Sequence, residues 1–165
     1  MAADSFVERF LNAPESSAEA RDEFNRAATA MAEDHMLGVG INTFPRVLTD
    51  DGRYRQFLRV VKNEEQAGVA HHIYLLTAAE TGFVGLALFL AIMARLFLVA
   101  LRGIRSQSRL GALLLWGALV GFCTLHVGGL FEWAFRITPV LYMWAVASAL
   151  AVGLAESARV PFRTT

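Results

Sequence analysis

An all-α membrane protein is what this sequence predicts: three transmembrane helices preceded by a polar, partly helical segment spanning residues 1–70. Three observations predict it. The chain of 165 residues is 55% hydrophobic and only 18% charged, which is too apolar for an ordinary soluble domain of that size. The charge is also unevenly divided. Up to Ala70 there are twelve acidic and eight basic side chains, whereas from His71 onward only three acidic (Glu80, Glu132, Glu156) and seven basic ones remain. Finally, the second part contains three apolar stretches, each near the roughly twenty residues a helix needs to cross a hydrocarbon core.

The first seventy residues open without a basic start, a long apolar core or a cleavage pattern, so no signal peptide is predicted. Ser16-Ser-Ala-Glu19 has the form of a capping box, with the Ser16 hydroxyl and the Glu19 carboxylate each answering an unpaired amide. A helix over about 17–36 follows, and its apolar positions Phe24, Ala27, Ala28 and Met31 recur at three- and four-residue spacing. That narrow apolar face needs something to lie against, either the membrane surface or parts of the protein outside this chain. Leu37-Gly-Val-Gly-Ile-Asn-Thr-Phe-Pro45 then packs two glycines and a proline into a short stretch, which ends the helix in a tight turn. Residues 46–70 read as an exposed loop, with Asp50-Asp51-Gly52 as a turn signal and Gly68 marking the approach to the membrane.

The membrane domain, residues 71–165, begins with span one over about 73–101, interrupted by Thr77, Glu80, Thr81 and Arg95. Span two covers about 110–131 and span three about 137–155. The connection from Arg102 to Arg109 carries arginines and no acid, which places it and the tail with Arg159 and Arg163 in the cytoplasm. Arg53, Arg55, Arg59 and Lys62 pull the other way; the orientation adopted is the one set by the arginine loop. The polar segment then lies outside, and its export implies further membrane spans upstream, so the chain reads as the carboxy-terminal part of a longer protein.

Several function classes are not supported. Zero formal net charge and the absence of a basic stripe argue against nucleic-acid binding. Cys123 is alone, so it closes no internal disulfide. The adjacent His71 and His72 point apart on a helix and no carboxylate cluster accompanies them, so no metal is expected. Gly38-Val-Gly40 lacks the third glycine of a dinucleotide fingerprint, and no Walker lysine follows, so no nucleotide cofactor is expected either.

The residues that can carry chemistry cluster at the start of span one. His71 and His72 stand at its outer mouth, where an imidazole can accept a proton from a hydroxyl arriving from water; the competing reading is a pair that anchors a helix end. Glu80 lies inside an apolar run, where a carboxylate must face other helices or a wet cavity, as a hydrogen-bonding partner or as a catalytic group. His126 and Glu132 flank Gly128-Gly129 and can approach the same vestibule, with helix packing the simpler role for His126. Trp133, Tyr142 and Trp144 suit an aromatic belt.

Arg21, Ala27-Ala28, the run Asp34-His-Met-Leu-Gly-Val-Gly-Ile-Asn-Thr-Phe44 and the block His71-His-Ile-Tyr-Leu…Ala79-Glu-Thr-Gly-Phe-Val-Gly85 together resemble the carboxy-terminal half of the O-antigen ligase and polymerase superfamily. The resemblance covers about residues 20–100. It departs from the family pattern at Met36, where proline is usual, and at His72, where asparagine is usual. It implies a glycosyltransferase of the bacterial inner membrane, with residues 1–70 periplasmic. Such an enzyme moves a glycan from an undecaprenyl-diphosphate carrier to a hydroxyl of a glycolipid acceptor of the lipid A-core type, without a metal. By the same resemblance His71 is the catalytic base, with His72 open as the alternative base because it stands where asparagine is usual, and Arg21, Arg26, His72 and Glu80 are the substrate-binding set, with Arg21 on the departing diphosphate. The resemblance also implies amino-terminal membrane helices as partners, in addition to the lipid bilayer. Two alternatives stay open: a polysaccharide polymerase with the same chemistry, and a non-enzymatic membrane module, either a truncated remnant or part of a transporter in which Glu80 and His126 line a path.

Overall fold

The computed structural model describes residues 15–58, 68–105 and 107–157. Arg59, Lys62, Arg159 and Arg163, which bear on orientation, and the amino-terminal stretch examined for a signal peptide lie outside those residues. Among the described residues all regular structure is helical: α1 (Glu15–Asp34), α2 (Phe44–Asp50), α3 (Gly52–Arg55), α4 (Ile73–Ile104), α5 (Arg109–Gly128), a short 3-10 turn (Ala134–Arg136) and α6 (Thr138–Ser157). Helices α4, α5 and α6 are long and apolar enough to cross a membrane, as expected of the three spans.

Two clusters hold the chain together. In the first, the α1 face predicted from spacing (Phe24, Ala27, Ala28 and Met31) is buried against Leu76 and Ala79 at the start of α4. This corrects the expectation for that face: it lies neither on the membrane surface nor on parts of the protein outside this chain but on the start of span one, within the same chain. The same cluster contains Phe44 and Leu48 of α2 and Tyr54 of α3. The expectation of an exposed loop after residue 45 is therefore corrected over 46–55: two short helices stand there and contribute fully buried side chains. Pro45 is the reason for the misreading. It sits in the first turn of α2, where its missing N–H has no partner to lose, so it starts a helix as readily as it ends one. Residues 59–67 of that predicted loop lie outside the described residues. The second cluster, Ala100 of α4, Leu115, Leu119 and Phe122 of α5, and Ala151 of α6, joins the three long helices near their other end.

Helix α1 begins at Glu15, so Ser16 lies within its first turn rather than capping it; the Ser16 side chain is outside the described ones. A larger correction concerns span one. Gly82 has φ 69° and ψ −178°, which no helix contains, so α4 is two arms meeting at that residue. The bend is sharp. The rings of Tyr74 and Phe89 lie 6.1 Å apart, whereas fifteen residues of straight helix would separate them by about 22 Å.

The α1–α2 turn seats itself in this bend. Val39 N–H donates to Ala79 O and Gly40 N–H to Glu80 O, both at 2.9 Å, while Phe83 N–H donates to Met36 O at 3.2 Å. The helix break thus leaves amide and carbonyl groups that the turn pairs. Beside it, the Glu80 carboxylate accepts from Phe44 N–H at 3.3 Å and from the Arg136 guanidinium, whose other nitrogen donates to Asn42 Oδ1 at 2.6 Å. Glu80 is buried and Arg136 about one quarter exposed. Removing the cation leaves a buried carboxylate with half its partners. Arg136→Ala is expected to cost up to about 3 kcal/mol, the low end for breaking a buried pair because Arg136 is partly solvated. The double variant Glu80→Gln with Arg136→Ala should recover part of that loss in thermal unfolding, and equal losses in both would show that no ion pair contributes.

Candidate functional site

Three elements converge on Glu132, in the connection between α5 and α6. Arg21, on the polar side of α1, places Nη2 3.1 Å from Glu132 Oε1. His71, just before α4, places Nδ1 3.2 Å from Glu132 Oε2. Arg21 and His71 are 111 and 61 positions from Glu132 in sequence, and the three side chains are brought together by the packing of α1 on α4 and by a backbone bond from Ile73 N–H to Gly129 O at 2.8 Å. Trp133 flanks the imidazole, with ring centroids 5.9 Å apart.

The polarity of the pair decides what His71 can do. A carboxylate only accepts, so Nδ1 carries the hydrogen toward Glu132 and the Nε2 lone pair is left to take a proton. The His71 side chain is about one quarter exposed, Glu132 and Arg21 nearly half. The cluster is thus open to solvent, and Arg21 is placed so that it could exchange its carboxylate partner for an incoming anion.

His72 takes a different place. It is the N-cap of α4, and its Nδ1 accepts from Leu75 N–H at 3.3 Å. Burial holds its pKa below the ordinary histidine value of 6.5, which favours the neutral ring that a cap of this kind requires. Asparagine is a strong N-cap residue, so the histidine here fills the same backbone role. Accordingly His72→Asn is expected to leave stability within about 0.5 kcal/mol, and His72→Ala to cost about 1 kcal/mol. The pH dependence has a definite sign. A histidine whose folded pKa is depressed contributes stability above its unfolded value, and that contribution is lost as pH falls from about 6.5 through the folded value. Thermal unfolding at pH 7.5 and 5.5 should therefore show a larger acid-side loss in wild type than in His72→Asn, and equal losses would contradict the capping role.

The remaining predicted residues are placed apart from this cluster. Arg26 is five positions beyond Arg21, about 140° round the helix, and pairs with Asp22 at 2.6 Å on a solvent-exposed face. Glu80 is engaged by Phe44 and Arg136 in the clamp already described. His126 bonds the Tyr74 hydroxyl at 2.7 Å among Phe89 and Phe135, which is a packing arrangement between α4 and α5. An apolar groove of about 710 Å³ between α5 and α6, lined by side chains such as Leu114, Phe122, Met143 and Trp144, includes none of the residues around Glu132. Glu132 itself is the residue that sequence reasoning placed near the vestibule without a role. Its signal was available: Glu132 and Arg136 are the only charged side chains between α5 and α6.

Among the described residues no group of three or more His, Cys, Asp or Glu side chains is arranged to hold a metal ion. The chain matches no family model, no curated protein and no solved structure.

Proposed function

We propose that this chain carries the catalytic part of a membrane glycosyltransferase of the O-antigen ligase type, moving a glycan from a polyprenyl-diphosphate carrier to a hydroxyl of a glycolipid acceptor. The single observation that supports it most is the convergence of Arg21 and His71 on Glu132, at the end of membrane helices. The resemblance assigns these two residues to the leaving group and the base, and that assignment requires them to be neighbours.

In this reading His71 Nε2 takes the proton of the acceptor hydroxyl while its oxygen attacks the anomeric carbon. The bond from that carbon to the diphosphate oxygen breaks, and the charge growing on the diphosphate is met by Arg21, which turns to it from Glu132. Glu132 keeps hold of the Nδ1–H, so the ring stays oriented and the imidazolium that forms is balanced by a carboxylate. The donor is of the undecaprenyl-diphosphate class, the acceptor of the lipid A-core class, and the site faces the periplasm from the bacterial inner membrane. A polymerase would use the same residues with a second lipid-linked glycan as acceptor.

The test is glycan transfer in membranes of a ligase-deficient bacterium expressing the full open reading frame, with His71→Ala and Arg21→Ala compared at matched abundance. Arg46→Ala serves as a charge-matched control, since Arg46 pairs with Asp50 on an exposed face. Loss of transfer in both site variants supports the assignment. Wild-type transfer in both removes it and leaves a non-enzymatic membrane module as the better reading.

A further inference from the structure

The turn between α1 and α2 presents three large apolar side chains outward: Met36 is 72% exposed, Leu37 81% and Ile41 77%. It is not a pendant loop. Its backbone is bonded to Ala79, Glu80 and Phe83, and a Cβ at Gly38 would lie 2.4 Å from the Glu80 carbonyl carbon, so the turn is seated directly on the bend at Gly82.

The bend also marks a level. From Phe83 to Ile104 the second arm of α4 has 22 residues, about 33 Å, against a hydrocarbon core of about 30 Å. Helices α5 and α6 have 20 residues each, which is about 30 Å. The first arm, by contrast, has Ile73, Leu76, Ala78, Ala79 and Glu80 buried within the protein. Outward apolar side chains on α4 begin just past the bend, with Phe83 and Val84. The charged clamp of Glu80, Arg136 and Asn42 lies beside the same bend, as suits the boundary between headgroups and acyl chains. Met36, Leu37 and Ile41 therefore continue the apolar surface of a membrane helix, at the height where that surface starts.

We propose that the Met36–Ile41 turn is a membrane anchor, its three apolar side chains inserted among the acyl chains of the leaflet on the His71 side, level with Phe83. The irregular backbone is paired where it meets the bend, through Gly38 N–H to His35 O at 2.8 Å, Val39 N–H to Ala79 O and Gly40 N–H to Glu80 O, which lowers the cost of holding it at that depth. The anchor fixes the carboxy-terminal end of α1 against the membrane surface, and with it the height of the cluster around Glu132. It does not depend on the glycosyltransferase reading.

The test uses the full chain with Cys123→Ser, reconstituted into phosphatidylcholine vesicles. An environment-sensitive fluorophore is attached at Leu37→Cys or Ile41→Cys, with Leu88→Cys on the exposed apolar face of α4 and Arg46→Cys on the polar segment as references. Lipids brominated in their acyl chains and aqueous iodide are the two quenchers. The labels at 37 and 41 are expected to lose as large a fraction of fluorescence to brominated lipid as the label at 88, and to be as protected from iodide. Iodide quenching equal to that at position 46 would overturn the anchor by placing the turn in water. Quenching by neither agent would also overturn it, by placing other protein helices or a second copy over the turn.

Discussion

On the proposed function, glycan transfer is expected to fall by about 10²–10⁴-fold when His71 is replaced by alanine, the range that a positioned general base contributes. The loss should appear in kcat with little change in KM for the donor, because the imidazole acts on a proton that moves only as the acceptor oxygen attacks. Arg21→Ala should likewise act mainly on kcat, since the negative charge it meets grows as the diphosphate leaves. Lysine at position 21 is not an equivalent replacement, because a point charge lacks the planar fork that grips two oxygens at once. Glu132→Gln provides the discriminating third case. Its amide oxygen can still receive the His71 Nδ1–H, but the charge that balances the imidazolium is gone, so transfer should lie between wild type and His71→Ala. Initial rates in membranes at matched abundance read all three. Wild-type rate in His71→Ala together with loss in His72→Ala would move the base to the neighbouring ring.

Gly82→Ala is expected to abolish accumulation of the folded protein, a cost above about 4 kcal/mol and beyond the usual range for one substitution. Two independent effects add there. The φ of 69° with ψ near 180° is a region that essentially only glycine occupies. A Cβ would also stand 2.1 Å from Met36 O and 2.6 Å from the Leu37 carbonyl carbon, and these are backbone atoms that cannot rotate away. Relief requires either straightening α4, which strips the turn of its partners, or lifting the turn out of the bend. The control is Gly117→Ala, where an added Cβ meets nothing within 4 Å. Size-exclusion profiles in detergent and thermal unfolding distinguish the two, and a Gly82→Ala protein with unchanged Tm would mean that α4 runs straight through position 82.

The elements that local pattern could determine are those whose residues answer to their near neighbours or to the solvent. Phe24, Ala27, Ala28 and Met31 are one helical face because of their spacing, and all four are buried. The three long helices follow from runs of apolar side chains that only lipid or a large core can accept. Pro45 shows the limit of such reading: a proline stops one helix and starts another with the same fixed φ, and only the burial of Phe44 and Leu48 decides between them. Span one shows another, because an apolar run is equally apolar whether it is straight or bent at a glycine.

By itself, then, the sequence determined the all-α class, the three membrane helices and the amphipathic character of α1, while Arg21 and His71 were marked as sharing a chemistry only through a resemblance. Only the tertiary structure decided that Glu132 joins them, that His72 caps α4 rather than facing the same carboxylate, and that Glu80 is held by Arg136 and Phe44. The physical reason is range. Helix formation and partition into lipid depend on residues a few positions apart, whereas a hydrogen bond between side chains more than a hundred residues apart is set by how packed helices place their ends.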